Sequence, residues 1–107
     1  MAERKNGAAK SAAPEVLEDN VVVLHKPTAD GTDKLVLDFD HINGRTLINC
    51  EKQARKLDPA ITVLALSQMY QALVAGAATG LKYDEVLNLS GKDFTALCLK
   101  AQGFLLQ

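Results

Sequence analysis

The sequence contains no tryptophan and only two cysteines, Cys50 and Cys98, which lie far apart in the chain. Neither cysteine has a second metal ligand at the short spacing of a zinc or redox motif. No glycine-rich phosphate loop, nucleophile elbow or histidine–glutamate zinc helix occurs either. We therefore expect no enzyme activity, no catalytic residue, no metal and no cofactor. Both thiols should be free and buried, which fits a reducing compartment.

Basic residues are not in excess: the chain has 12 Lys and Arg residues and 13 Asp and Glu residues, for a net charge of −1. Proteins that bind a phosphate backbone draw affinity from clustered basic residues, so no nucleic-acid partner is expected. A helix-turn-helix regulator is the least favoured alternative. Its second helix would place Phe94, Leu97 and Leu99 where base contacts are needed, with only Lys92 and Lys100 for phosphates.

The N-terminal residues lack the apolar stretch of a secretory signal, so no export is expected. Residues 59–81 form a run of 23 residues without charge, which is long enough to cross a bilayer. Thr62, Ser67, Gln68 and Gln71 interrupt it, however, so no membrane span is expected. A helix that is apolar around most of its circumference has to be covered. The run therefore predicts a central core helix, or a helix partly buried by another copy or another protein.

The change in composition near Asn20 predicts a flexible N-terminal arm over 1–19 and a single α+β domain over 20–107. Two β-branched, apolar stretches separated by a turn predict a hairpin over 20–40. In its second strand Leu35, Leu37 and Phe39 share one face, which must rest on helices. The fold class is thus an N-terminal two-stranded β-hairpin packed on a mainly α-helical domain of about four helices, at about 43–57, 60–79, 82–88 and 90–106.

Local start and stop signals define these helices. Asn43 can cap the first helix, and Asp58-Pro59 predicts the restart that begins the second. Gly80 can supply the left-handed residue that ends the second helix. Ser90 can cap the last helix, with Asp93 in the capping-box position three residues later.

Two acidic stretches are weak candidates for metal or proton chemistry. Asp38, Asp40 and His41 place two carboxylates beside an imidazole, but no second carboxylate cluster follows at a fixed spacing. We expect a solvated strand end there. The Asp30-Gly31-Thr32-Asp33 stretch lacks the alternating oxygens and terminal Glu of a calcium hand, and a turn is expected.

Four features follow one another along the chain. They are a strand that leads into His25-Lys26-Pro27, the stretch 39–47 with Gly44-Arg45, the helix 70–81 that ends in Ala-Ala-Thr-Gly-Leu, and the segment 87–94. Over about residues 20–106 this order resembles the bacteriophage tail assembly chaperones, which are small proteins encoded just before the tape-measure protein of long-tailed phages. The N-terminal arm is longer and richer in Ala and Lys than is usual in that family.

The resemblance implies a chaperone of the bacterial host cytoplasm that coats the helical tape-measure protein until tail-tube subunits replace it, and that is absent from the mature virion. Its implied partners are the tape-measure protein, the major tail protein and further copies of itself. A general interaction or oligomerisation module, unrelated to phage, is the alternative. For either function the partner-binding candidates are the apolar residues Leu66, Met69, Tyr70, Leu73, Val74, Phe94 and Leu105.

Overall fold

The computed structural model describes residues 20–107, so the expected arm over 1–19 lies outside the described residues. The architecture is α+β, with a two-stranded antiparallel hairpin followed by four α-helices. Single turns of 3-10 helix at Phe39–His41 and Leu64–Leu66 precede the first and second α-helices. The strands and helices are β1 (Val21–Val23), β2 (Lys34–Val36), α1 (Gly44–Leu57), α2 (Gln68–Thr79), α3 (Tyr83–Leu87) and α4 (Gly91–Leu105).

The hairpin has one buried face and one exposed face, as the two-residue period of a strand requires. Val22 lies opposite Leu35, and both are buried, while Val23 and Val36 are exposed. Leu37 is also fully buried. The expected continuation of the strand through Phe39 is wrong. The backbone leaves the extended conformation at Asp38 and forms a 3-10 turn instead.

Helix α2 lies at the centre of the molecule and contacts α1, α3, α4 and β2. Buried side chains surround most of its circumference, so the uncharged composition of this segment reflects a core position. Its polar residue Gln71 is buried too, and its amide nitrogen donates a hydrogen bond of 2.7 Å to the carbonyl oxygen of Ala65. This bond satisfies a polar group that would otherwise be costly to bury.

The second helix begins at Gln68 and not near residue 60, which corrects the range expected from the sequence. The Asp58 carboxylate accepts a hydrogen bond from the Ala60 amide in a tight turn and starts no helix. Ser67 is extended and its hydroxyl oxygen accepts from the Tyr70 amide at 3.3 Å, so Ser67 is the true cap. The β-branched run Ile61-Thr62-Val63 loses side-chain freedom in a helix, which disfavours an earlier start.

The signals at Asn43, Gly80 and Ser90 are confirmed, whereas Asp93 forms no capping box because its carboxylate accepts from the Ser90 hydroxyl and not from the Ser90 amide. The Asn43 side chain accepts from the Thr46 amide at 3.0 Å, and Ser90 accepts from the Asp93 amide at 3.3 Å. Gly80 ends α2 in the left-handed conformation, with φ of 85°. Within residues 20–107 no helix combines the length and the apolar character that crossing a bilayer demands.

Candidate protein-interaction site

Exposed apolar side chains are the feature of the surface that points to a partner. Among residues 20–107, ten large hydrophobic side chains are exposed. They are Val23, Val36, Ile48, Leu57, Val63, Leu66, Met69, Leu87, Leu99 and Leu106. Single exposed hydrophobic residues are ordinary, so what matters is whether they gather on one element.

Three of them gather at the start of α2. Val63, Leu66 and Met69 are exposed by 54%, 59% and 36%, and we call them the 63–69 patch. Val63 directly precedes the 3-10 turn that Leu66 ends, and Met69 lies in the first turn of α2, so the three exposed side chains lie within seven consecutive residues. The patch lies in the uncharged run, and the 3-10 turn beneath it packs against α2 and α4. A rigid, uncharged apolar surface of this kind suits a protein partner.

The structure divides the sequence-predicted contact residues into three groups. Leu66 and Met69 are exposed and lie together in the 63–69 patch. Phe94 and Leu105 are half-buried and pack against the core from α4. The remaining three are core residues, which corrects their assignment to a partner surface: Tyr70, Leu73 and Val74.

Tyr70 illustrates why these three residues are inside. Burial raises the pKa of its hydroxyl, and the neighbouring Cys50 and Glu51 of α1 raise it further. The side chain therefore fills the contact between α1 and α2. Met69, one position earlier, faces outward because successive helical residues point about 100° apart.

A second apolar surface lies on α4 and was not among the predicted contact residues. Leu99 and Leu106 are 60% and 58% exposed and lie seven residues apart, which places them on one side of the helix. A cavity of about 390 Å³ is lined by Leu99 and by the stacked rings of Phe39 and Phe104, whose centroids are 4.6 Å apart. We call Leu99 and Leu106 the α4 stripe. The seven-residue spacing of two leucines was the signal that could have identified it.

The Asp93 side chain joins the hairpin to α4. Its carboxylate accepts hydrogen bonds from the His25 amide at 2.9 and 3.0 Å, from the Lys26 amide at 3.2 Å and from the Ser90 hydroxyl at 2.9 Å. The His25 amide bond, followed by the Lys26 and Ser90 bonds, lowers the pKa of Asp93 despite its burial. The N-terminal end of α4, which a helix-turn-helix would present to DNA, is thus bonded to the hairpin.

The other chemically notable groups have ordinary environments. Asp38 and His41 are exposed and 4.0 Å apart. No group of three His, Cys, Asp or Glu residues in the described part of the chain could hold a metal ion. Cys50 and Cys98 are buried, and burial raises the pKa of both thiols, that of Cys98 to about 11. Both thiols are therefore protonated and unreactive at neutral pH.

No protein-family model, curated protein or solved structure matches this chain.

Proposed function

We propose that this protein is a non-enzymatic assembly chaperone that binds a long helical client through the 63–69 patch. The observation that carries the proposal is the exposure of Val63, Leu66 and Met69 on a segment without charge. The sequence resemblance to phage tail assembly chaperones supports the choice of client, which is the tape-measure protein. An amphipathic client helix can lay its apolar side on such a surface.

The properties of the patch suit a varied client. Met69 has an unbranched and polarizable side chain that adapts to different apolar neighbours, whereas the surrounding turn is held by the Gln71–Ala65 hydrogen bond. The absence of charge means that no buried ion is left unpaired when a helix covers the patch. Contacts of this type select for apolar helical surface and not for one particular sequence.

The size of the patch bears on how tightly it binds. Burying each of the three half-exposed side chains contributes about 1 kcal/mol, so the patch contributes about 3 kcal/mol. Association costs on the order of 4–15 kcal/mol in lost freedom of motion. The patch by itself does not offset this cost, so binding a client requires neighbouring copies that also contact each other. The α4 stripe is the surface that we assign to this self-association, and weak single contacts allow the major tail protein to displace the chaperone.

The remaining parts of the proposal follow from the resemblance. The chaperone acts in the bacterial host cytoplasm, where the tail assembles, and it leaves before the virion is complete. A general oligomerisation module is the second candidate, and the α4 stripe favours it specifically, because a stripe of exposed leucines needs no phage client to pair with a second copy.

Co-expression with a phage tape-measure protein tests the function. The chain should keep the tape-measure protein in the soluble fraction, and the double variant Leu66→Glu, Met69→Glu should lose this ability while keeping its own helical circular dichroism. Leu87→Glu is the matched control, because Leu87 is similarly exposed but lies on α3 outside the patch.

Two results contradict the proposal. One is a tape-measure protein that is equally insoluble with and without the chain. The other is a double variant that solubilises the client as well as the wild type does. If the chain self-associates in a manner that requires Leu99 but does not solubilise the client, the oligomerisation module is the better description.

A further inference from the structure

A groove in the described part of the chain runs beside the outer edge of β2. Its volume is about 780 Å³, within the range of ligand-binding pockets. One wall is the hairpin, from Lys26 to Val36, and the other is the segment from Thr79 to Ser90. The groove lies at the C-terminal end of α2, whereas the 63–69 patch lies at the N-terminal end of the same helix. The 12-residue helix separates the two by about 16 Å along its axis.

The strand edge that faces this groove has unused hydrogen-bonding groups. Bonds from the Leu37 amide to Asn20 and from the Leu24 amide to Asp33 define the hydrogen-bonded pairs of the hairpin. Because these pairs alternate with non-bonded pairs, the backbone N–H and C=O groups of Lys34 and Val36 point away from β1. Within residues 20–107 these four groups have no hydrogen-bond partner. A strand edge of this kind is a template for pairing with another extended chain.

Both walls are held in place around this edge. The amide of Asp38 also points away from β1, as those of Lys34 and Val36 do. It donates a hydrogen bond to the carbonyl oxygen of Ala78 at 2.9 Å, which closes one end of the groove. Near the other end the Asp93 carboxylate bonds both to the Lys26 amide and to Ser90, which lie on opposite walls. The groove is therefore preformed, which lowers the entropic cost of binding.

The charges of the groove identify the occupant. Its two carboxylates are already engaged in local turns: Asp30 accepts from Thr28 and Thr32, and Glu85 accepts from the Lys82 amide at 2.8 Å. The first of these arrangements lowers the pKa of Asp30. The ammonium groups of Lys26 and Lys34, by contrast, form no ion pair with any residue of 20–107. Lys26 and Lys34 are therefore the charged groups of the groove that have no local partner among residues 20–107, and Lys34 can pair with an acidic side chain of a ligand.

Apolar groups complete the lining of the groove. Leu81 and Leu89 are half-buried in its wall, on the helical side of the sheet, whereas Lys34 is exposed on the outer face of the hairpin. A strand added to β2 would alternate its side chains between these two environments. Acidic side chains would face Lys34, and apolar side chains would face the two leucines.

We propose that this groove binds an extended segment of a partner protein with alternating acidic and apolar residues, which pairs as a third strand with Lys34 and Val36. The site is independent of the 63–69 patch and does not rest on the chaperone function. Its recognition mode is β-strand addition, in which backbone bonds supply affinity and alternate side chains supply specificity.

Titration of the ¹⁵N-labelled full chain with acetyl-Glu-Val-Glu-Val-Glu-Val-amide tests the proposal by NMR. The amide signals of Lys34 and Val36 should shift, and the corresponding Lys-Val peptide should not bind. N-methylation of one alternate set of peptide amides should abolish binding, while methylation of the other set should not, because only alternate amides face β2. Lys34→Glu should weaken binding at low salt by about fivefold. Lys52→Glu on α1 is the control with an exposed lysine far along the sequence.

Several outcomes overturn the proposal. They are the absence of binding at millimolar peptide, equal binding of the acidic and basic peptides, and indifference to both methylation patterns. Sedimentation of the free chain supplies a further check, since a dimer that Val36→Pro disrupts would mean that a second copy occupies this edge.

Discussion

At the scale of single residues, Asp93 does more than its position in the sequence indicates. A capping-box acid normally bonds the backbone of its own helix start, but this carboxylate reaches the amides of His25 and Lys26 on the hairpin. Hydrogen bonds to an ionised acceptor are about twice as strong as neutral ones. The same carboxylate accepts from the hydroxyl of Ser90, the residue that caps α4, and so links this cap to the end of the hairpin's first strand.

Asp93→Asn should lower the urea midpoint of unfolding at neutral pH. The amide group of Asn has one acceptor oxygen in place of two, and its NH₂ group would face the backbone donors of His25 or Lys26. Asp40→Asn is the matched control, because Asp40 is exposed and accepts no such bonds from residues 20–107. Equal midpoints for the two variants would show that the Asp93 bonds contribute nothing to stability.

The same carboxylate predicts an acid dependence of stability. The folded-state pKa of Asp93 lies below its ordinary value of 3.8, so the unfolded chain takes up the proton first as the pH falls. The stabilisation is present above about pH 4 and is lost as the pH falls through the folded pKa. Urea midpoints measured between about pH 5 and pH 2 should fall less steeply for Asp93→Asn than for the wild type. Parallel curves would contradict this assignment.

At the scale of elements, α2 and α3 pack closely enough that one position admits no side chain. A Cβ atom at Gly76 would lie 2.9 Å from the carbonyl oxygen of Leu81 and 3.6 Å from a methyl of Val86. The first contact is with backbone, which cannot rotate away. Gly76 therefore permits the turn at Gly80 to bring α3 back against α2.

Gly76→Ala should destabilise the protein by about 1–3 kcal/mol, because the overpacked backbone has to shift. This loss opposes the gain of roughly 1 kcal/mol that Ala brings to a helix interior. Gly103→Ala in α4 is the control, since no atom lies within 4 Å of its added Cβ. It should stabilise by about 0.5–1 kcal/mol. Thermal unfolding followed by circular dichroism measures both, and stabilisation by both variants would refute the close contact.

At the scale of the whole molecule, the hairpin and the helices share one hydrophobic core. Leu35 and Leu37 from the hairpin belong to the same buried cluster as Val74 from α2 and Leu97 from α4. A two-stranded hairpin is marginal by itself, so its order depends on this packing. The exposed patches remain outside because the inward faces already fill the core.

Leu37→Ala should therefore destabilise the entire domain and not the hairpin alone. Removing a fully buried leucine side chain costs about 2–5 kcal/mol. The loss of helical circular dichroism and the change in fluorescence of Tyr70 and Tyr83 should share one lowered midpoint. Leu87→Ala, at an exposed position outside both apolar surfaces, should change the midpoint little. Helices that keep the wild-type midpoint in Leu37→Ala would show that the hairpin is an independent unit.

Local signals made most of the fold predictable. The caps at Asn43 and Ser90 and the left-handed Gly80 are determined by neighbours within a few residues, so the sequence indicates them directly. The start of α2 was placed too early because Asp58-Pro59 forms a convincing start signal. In the structure this signal makes an isolated turn, and Ser67 begins the helix.

The amino-acid sequence by itself determined the α+β class, the hairpin and the approximate order of four helices, since periodicity and caps are local properties. Only the tertiary structure decided which uncharged residues face outward. Residues 59–81 carry no charge that would mark the solvent side, so the sequence does not distinguish Met69 from Tyr70. Packing of the neighbouring helices buries Tyr70 and leaves Met69 exposed. The Asp93–His25 contact spans 68 residues, and no local pattern specifies a partner at that distance.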